Sequence, residues 1–417
     1  MKPTKFFFLF LVFAQLYAAA QQTNDFLTIN GRIIDDNNRR VLPLVSVRLS
    51  GTNIATVTNA DGEFLLKIPT EHANASVSFS HLGYHSQEIS AESFGTVVKT
   101  IRMRPNIVAL DEIEILRGDA SAYIREVFNR IPQNYPQRAY QMVGFYRETI
   151  RKRNNFVAVT EAVLDIFKSP YKRLTSDQAR IYKARRSSDP SRIDTIFVRY
   201  QGGVDAALRL DIAKNYEDIF FDDFTQLYDF HFDGRTYLNN RPHTIVVFNQ
   251  KSWINHPLFR GRFYIDTETK AIARLEFSMN VDINNEVATS IFIQRKPRGM
   301  RVQVTEASYL IQYTMQDGQW FYEYSRATVS FRLRWQRRLF SSHYTIQSEM
   351  VITDRTEEGV SRFSRRERLR PNAIIAEKVS DFEDEDFWGE HNIIEPEQSI
   401  EDAIRRISRR LQRQEMR

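Results

Sequence analysis

The stretch Trp320–Trp335, WFYEYSRATVSFRLRW, reads as one long strand with two unlike faces. Ala327, Val329, Phe331, Leu333 and Trp335 fall on every second position, and Tyr322, Tyr324, Arg326, Thr328, Ser330, Arg332 and Arg334 fill the positions between. Side chains of a strand alternate sides, so one face is expected to be apolar and the other rich in arginine.

The flanking sequence repeats the pattern. Phe263–Ile265 leads through a turn at Asp266–Lys270 into Ala271–Val281, where Ala273, Leu275, Phe277 and Met279 share one face and Arg274, Glu276, Ser278 and Asn280 the other. Arg301–Thr314, a Gln316-Asp317-Gly318 turn and a returning strand at Tyr344–Ile352 complete a predicted antiparallel meander over residues 228–353. Such a sheet must cover its apolar face by curling over a helix, closing into a barrel or holding an amphiphile. A membrane-spanning barrel also uses alternating strands of about ten residues. Arginines along most strands, no repeating aromatic girdles and a polar helical end weigh against it.

FDGRTYLNNRPHTIVVF (232–248) followed by RGRFYIDTETKAIARLEF (260–277) loosely resembles the half-barrel of periplasmic lipoprotein carriers. The resemblance implies a concave apolar face that holds an acyl chain, with Leu275, Phe277, Phe331, Leu333 and Trp335 as ligand-facing candidates. On the arginine-bearing face, Arg326, Arg332 and Arg334 are the candidates for contact with a partner.

Upstream, Ala120, Tyr123, Ile124, Val127, Phe128 and Ile131 recur at helical spacing until Pro132. Phe145–Thr149 and Phe156–Thr160 read as paired strands, Leu174–Arg192 as a polar loop, and Val204–Lys214 as helical. Downstream, a basic run at Arg362–Arg368 and an acidic run with aromatic anchors at Asp381–Trp388 are suited to dock on each other or on a partner. Ile400, Ala403, Ile404, Ile407 and Leu411 form the stripe of a C-terminal helix, with Ser399 as N-cap and arginines later. That helix packs on its own sheet or touches an anionic membrane surface.

Residues 28–115 change character, to short strands between turn signals. The question there is GTNIATVTNADGEF, Gly51–Phe64. A calcium loop with Asn59 and Asp61 at its third and fifth positions would need a ligand at Val57, which has no side-chain oxygen, and a downstream glutamate that is missing. A turn needs only Asn or Asp bonding to local backbone and Gly62 at positive φ. These residues, with Ser78–Tyr84, the closing Ile101–Pro105 and Leu110–Ile115, resemble the carboxypeptidase-regulatory-like domain over roughly residues 27–116. The resemblance implies a transthyretin-like β-sandwich of the kind that precedes TonB-dependent outer-membrane receptors, and a regulatory role without catalysis. His85 and Glu88 have the His-x-x-Glu spacing of zinc carboxypeptidases. Three apart in a strand they point to opposite faces, and zinc needs a third ligand. His81 and His85 are expected to be surface or turn residues.

MKPTKFFFLFLVFAQLYAAAQQ opens with Lys2 and Lys5, an apolar run and small residues, the layout of a signal peptide cleaved between Ala20 and Gln21. The apolar run is shorter than the roughly 20 residues of a membrane span. There is no cysteine, so there is no lipobox, disulfide framework or thiol chemistry. The net charge is +6, and +4 without Lys2 and Lys5, too mild to argue for nucleic acid.

No nucleophile elbow, phosphate loop, His-Glu-x-x-His or dinucleotide fingerprint occurs. Asp222 and Asp223, near Glu217 and Asp218, are expected to be solvated. The expectation is a mainly β, two-domain protein exported to the periplasm or outer membrane of a Gram-negative cell. It has a signal peptide (1–20), a regulatory-like β-sandwich (27–116), an α+β domain with a curved antiparallel meander (118–395) and a C-terminal amphipathic helix (396–417). The expected role is binding or scaffolding with an envelope protein partner, without cofactor, metal or catalytic residues. A carrier or sensor of a lipid or other amphiphile is the alternative, and a hydrolase the weaker one.

Overall fold

The computed structural model describes residues 26–95, 97–106, 118–172, 175–188, 203–220, 224–293, 296–336, 340–370, 373, 375 and 387–415. The signal-peptide expectation with its Ala20–Gln21 site, the acidic residues 381–386, and Asp222 and Asp223 lie outside the described residues.

The N-terminal unit packs one three-stranded and one four-stranded sheet face to face. Its strands are β1 (Phe26–Asp35), β2 (Ser46–Leu49), β3 (Ala55–Val57), β4 (Glu63–Pro69), β5 (Ser76–Ser80), β6 (Gln87–Ser90) and β7 (Lys99–Met103). The orders are β4-β1-β7 and β3-β2-β5-β6, with β7 parallel to β1. Ile33, Val47, Phe64, Leu66, Phe79 and Ile101 fill the space between them. The Asn59–Gly62 cluster is a turn. Asn59 Oδ1 accepts from the amides of Asp61 (3.0 Å) and Glu63 (2.8 Å), and Gly62 has φ 74°.

The second unit runs α1 (Ala120–Asn129), α2 (Ile131–Asn134), β8 (Tyr140–Lys152), β9 (Asn155–Lys168) and β10 (Gln178–Ser188). Four short helices follow: α3 (Val204–Arg209), α4 (Ile212–Asn215), α5 (Glu217–Phe220) and α6 (Phe224–Leu227). Then come β11 (Tyr228–Leu238), β12 (Arg241–Gln250), β13 (Phe259–Asp266), β14 (Ile272–Met279), α7 (Asn285–Phe292), β15 (Met300–Gln316), β16 (Gln319–Trp335), β17 (Ser342–Thr356) and α8 (Gln398–Glu415). The ten strands form one antiparallel sheet, ordered β10-β9-β8-β17-β16-β15-β14-β13-β12-β11. The expected meander is its sequential part, and β8–β10 extend it past β17. The order has two ends, so the sheet is curled but open.

Three local expectations are corrected. Residues 178–188, read as loop, are edge strand β10; its polarity arises because Arg180 pairs with Asp165 (2.8 Å) and Arg185 with Glu161 (2.8 Å) on β9. The expected break at Pro132 is present: α1 ends at Asn129, and Pro132 lies in the first turn of the separate α2, where its missing N–H costs nothing. Residues 204–214 form two helices, α3 and α4, separated at Leu210 and Asp211. A bulge opposite Gln312 and Tyr313 sends Tyr322 and Tyr324 to different clusters, although alternation put them on one face.

Helices α1–α6 cover the inner face of the sheet, where Ile124, Phe128, Phe220, Phe248, Phe263 and Leu275 meet. Helix α7 covers an adjoining part, setting Ala288 and Phe292 against Val329, Phe331 and Leu333. The outer face carries the sandwich and the chain's last segment: Val57 joins Phe145, Val163, Val351, Trp388 and Ile394. The seam is polar as well. Ser46 Oγ and Arg48 Nη2 donate to Glu323 Oε1 (2.7 and 2.8 Å), and Thr56 Oγ1 donates to the carbonyl of Ile393 (2.8 Å).

Candidate functional site

The outer face holds a row of charge set by strand register. Arg262 on β13 faces Glu276 on β14, and Glu276 faces Leu310 on β15. Leu310 faces Arg326 on β16, Arg326 faces Glu349 on β17, and Glu349 faces Arg147 on β8. Arg147 faces Glu161 on β9, which faces Arg185 on β10. Apart from Leu310 the sign alternates at every step, which favours this register over a slipped one because like charges opposite each other destabilise a pair.

One half of the row is sealed. Arg147 Nε lies 2.6 Å from Glu161 Oε1, and Arg147 Nη2 donates to the carbonyl of Ile394 (2.7 Å). Burial alone would raise the Glu161 carboxyl, but Arg147 and Arg185 overcome it and hold it below the ordinary glutamate value. The sandwich, residues 388–394 and α8 form the cover, with Ile400 and Ala403 packed on Phe156 and Val159. The C-terminal helix thus packs on its own sheet. The aromatic anchors Phe387 and Trp388 meet Lys183 and Arg185 of β10, with cation-to-ring distances of 4.5 and 4.8 Å.

The other half is open. A groove of about 570 Å³ runs over β12–β16 and is lined by Arg260, Arg262, Arg274, Arg326 and the hydroxyls of Ser278, Ser308 and Thr328. Arg274 is committed to Glu276 (2.6 Å), and Arg262 lies 3.4 Å from Asp233 with both side chains about half exposed. Arg260 and Arg326 have no carboxylate within ion-pair distance among the described residues. Arg326 also lines a smaller cleft of about 220 Å³ under the sandwich, beside Leu44, Asn59, Glu349 and Glu397. His81, half-buried at the seam, is driven down to about pKa 4 by burial and by Arg274.

Of the residues singled out by sequence, Arg326 lies in the groove, whereas Arg332 and Arg334 are exposed further along β16. Leu275 and Phe277 are buried in the main core, and Phe331 and Leu333 in the cluster beneath α7, with Trp335 half-buried at its rim. The five ligand-facing candidates are therefore divided between two side-chain-filled clusters. Arg260 and Arg262 were missed. Their alternation with Phe263 was readable, but their alignment with Arg326 needs the registers of three intervening pairings.

A second buried polar cluster lies on the inner face. Lys168 Nζ bridges Asp177 (2.6 Å) and Asp211 (2.5 Å), and Lys214 pairs with Asp177. Tyr171 and Tyr313 donate to Asp211 (2.7 and 3.0 Å). Burial, and then Lys168, push the Lys214 ammonium below its ordinary value. Lys214 edges a cleft of about 470 Å³ with Arg209, Arg368 and Arg370. Two ammonium groups matched to two carboxylates make a compensated structural knot. Among the described residues no three of His, Asp or Glu gather as a metal site, and Glu88 on β6 is near Ser50 (3.5 Å).

Residues 29–115 match the family model of the CarboxypepD_reg-like domain. The sandwich is a CarboxypepD_reg-like domain. A TonB-dependent receptor P3 of Formosa agariphila is 26% identical over 133 residues, 31% of this chain but 13% of the receptor. The chain thus matches a small part of that receptor. A crystal structure of a DUF1329 family protein from Desulfovibrio piger aligns with 59% of this chain and 96% of its own, at 12% identity and a TM-score of 0.22, too low to indicate a shared fold. The CarboxypepD_reg-like domain and the receptor relative point to an envelope-associated protein. No helix among the described residues is long and apolar enough to cross a membrane.

Proposed function

We propose that this chain is a non-enzymatic binding or scaffold protein exported to the periplasm or the outer membrane, and that it engages an envelope protein partner through the arginine groove. The observation that carries the reading is that, among the described residues, Arg260 and Arg326 stand in an open groove with no carboxylate at ion-pair distance, whereas Arg262, Arg147 and Arg185 of the row are paired. Unpaired guanidinium groups at a rim steer and orient an acidic partner, and their planar forks suit carboxylates. The CarboxypepD_reg-like domain roofs the sealed half of the row and leaves this half accessible. The filled inner face supports the scaffold reading over the carrier, since the core side chains occupy the space an acyl chain would need.

The test is a pull-down from detergent-solubilised envelopes with the full chain and with Arg260→Glu/Arg326→Glu. A defined protein held by the wild type and lost by at least about tenfold in the variant supports the reading. Equal recovery by both, or co-purified lipid with no protein, overturns it.

A further inference from the structure

The Asn59–Gly62 turn leaves one buried donor without an acceptor. Asn59 is 5% exposed, and its Oδ1 accepts from the amides of Asp61 (3.0 Å) and Glu63 (2.8 Å). Those two bonds fix which end of the side-chain amide is oxygen and which is nitrogen. Nδ2 is therefore a donor, and it has no partner among the described residues. Asn59 lines the cleft of about 220 Å³ beneath the sandwich. Buried polar groups are nearly always hydrogen-bonded, so a bare one facing a cleft asks for an acceptor there.

The charges in the same cleft are balanced but mostly unpaired. Arg147, Arg151 and Arg326 line it, with Glu349 and Glu397. Arg147 is committed to Glu161 (2.6 Å) and to the Ile394 carbonyl, and it lies 3.7 Å from Glu349. Arg326 faces Glu349 in strand register without reaching ion-pair distance. Among the described residues neither Arg151 nor Glu397 has an opposite charge at that distance; Arg151 lies against the Phe156 ring instead, 5.6 Å from its centroid. Burial holds the Glu397 carboxyl above its ordinary value, with Ser399 opposing this and Glu349 adding to it. Pro43, Leu44, Phe156, Ile394 and Ile400 supply apolar wall, and Ala60, exposed on the turn, stands at the rim.

A single water would satisfy Asn59 Nδ2, yet leave the carboxylates without a cation and Arg326 without an anion. A plain anion would be opposed by Glu349 and Glu397, and a plain cation by the arginines. We infer that the cleft binds a small zwitterion, an aliphatic α-amino acid, with its carboxylate on Arg326 and Asn59 Nδ2, its ammonium between Glu349 and Glu397, and its side chain on the apolar wall. Each charge then meets its opposite out of bulk water, where charge-assisted hydrogen bonds are strong. A few placed polar groups with an apolar wall are also the usual make-up of a small-molecule pocket. The site is shared between the units: Asn59 comes from the sandwich, Arg326 and Glu349 from β16 and β17, and Glu397 from the segment before α8. This goes beyond the groove reading, and of the residues lining the cleft Arg326 alone also lines the groove.

The test is isothermal titration of the full chain with L-leucine, L-leucinamide and isocaproate. L-Leucine is expected to bind, and the two analogues, each lacking one of its charges, at least about tenfold more weakly. Asn59→Asp keeps an oxygen for the amides of Asp61 and Glu63 but replaces the free donor with a second carboxylate oxygen. It should keep its thermal unfolding and weaken L-leucine by about tenfold or more. Glu397→Gln removes a charge without touching the turn; it should weaken L-leucine likewise, and it carries the test if Asn59→Asp does not fold. Arg260→Glu, in the groove alone, should bind L-leucine as wild type does, while Asn59→Asp should still recover the envelope partner of the groove. Absence of L-leucine binding overturns the inference, as does equal affinity for either analogue or binding unchanged in Glu397→Gln. Binding lost in Arg260→Glu but kept in Glu397→Gln assigns the ligand to the groove and also overturns it.

Discussion

Arg147 and Glu161 face each other across β8 and β9 with Nε 2.6 Å from Oε1, and both are shut off from solvent. Glu161 also takes Arg185 at 2.8 Å, while Glu349 lies 3.7 Å from Arg147 and accepts from the Tyr324 hydroxyl at 2.9 Å. A buried pair of this kind adds little net stability over an apolar pair, but removing one partner leaves a desolvated charge. Arg147→Met is therefore expected to lower unfolding stability by about 3–5 kcal/mol in urea. Arg262→Met, in the open half of the same row, should stay within about 0.5 kcal/mol. Equal losses at the two positions would show that burial does not divide the row.

Acid should remove the stability that the paired buried carboxylates supply. Glu161 and Asp177 are both held below their ordinary values by neighbouring cations, Arg147 and Arg185 for the former and Lys168 and Lys214 for the latter, against burial that would raise them. A depressed folded pKa gives stability that is present above the unfolded value and disappears as pH falls through the folded one. Stability is thus expected to hold down to about pH 4.5, near the ordinary glutamate value, and to fall steadily below it. In Glu161→Gln the fall should be shallower, although the starting stability is lower. Urea midpoints taken from pH 7 down to about pH 3 test this.

The inner knot makes a separate prediction. Among the described residues, Lys168→Met leaves Asp211 with the hydroxyls of Tyr171 and Tyr313, and Asp177 with Lys214 and Ser169. A loss of about 3–5 kcal/mol is expected, for the same reason as at Arg147. Lys214→Met should cost less, because Asp177 keeps Lys168 and Asp211 keeps its ammonium. Differential scanning calorimetry of the two variants decides the order.

Period-two alternation made the meander legible, because Ala273–Met279 and Ala327–Leu333 each bury one set of alternate residues. It failed where a residue faces an ion pair instead of a core. β10 reads as loop since its arginines meet carboxylates on β9, and no hydrophobic pattern records that. It failed again at the bulge near Tyr322, since an added residue reverses the sides of everything after it. The domain turn at Asn59–Gly62 was readable because its hydrogen bonds are local. The charge row was not: Arg262 and Arg326 come together only through Glu276 and Leu310, three strand pairings apart.

The sealed half of the row depends on Trp388. Its ring meets Phe145 edge-on at 5.5 Å between centroids and Arg185 at 4.8 Å, so one side chain caps both the outer apolar cluster and the end of the charge row. Deleting it should cost more than its own packing, because the void opens toward Val163, Val351 and the Arg185–Glu161 pair. Trp388→Ala is expected to lose about 3–5 kcal/mol. It should also loosen residues 392–394, whose contacts with Lys67 and Thr56 hold the CarboxypepD_reg-like domain against the sheet. Hydrogen exchange should then rise in β3 and at Ile393 while α1 and α2, on the far face, keep their protection. Unchanged exchange at β3 with the same loss of stability would place the cost in the cluster alone and remove Trp388 from the docking of the domain.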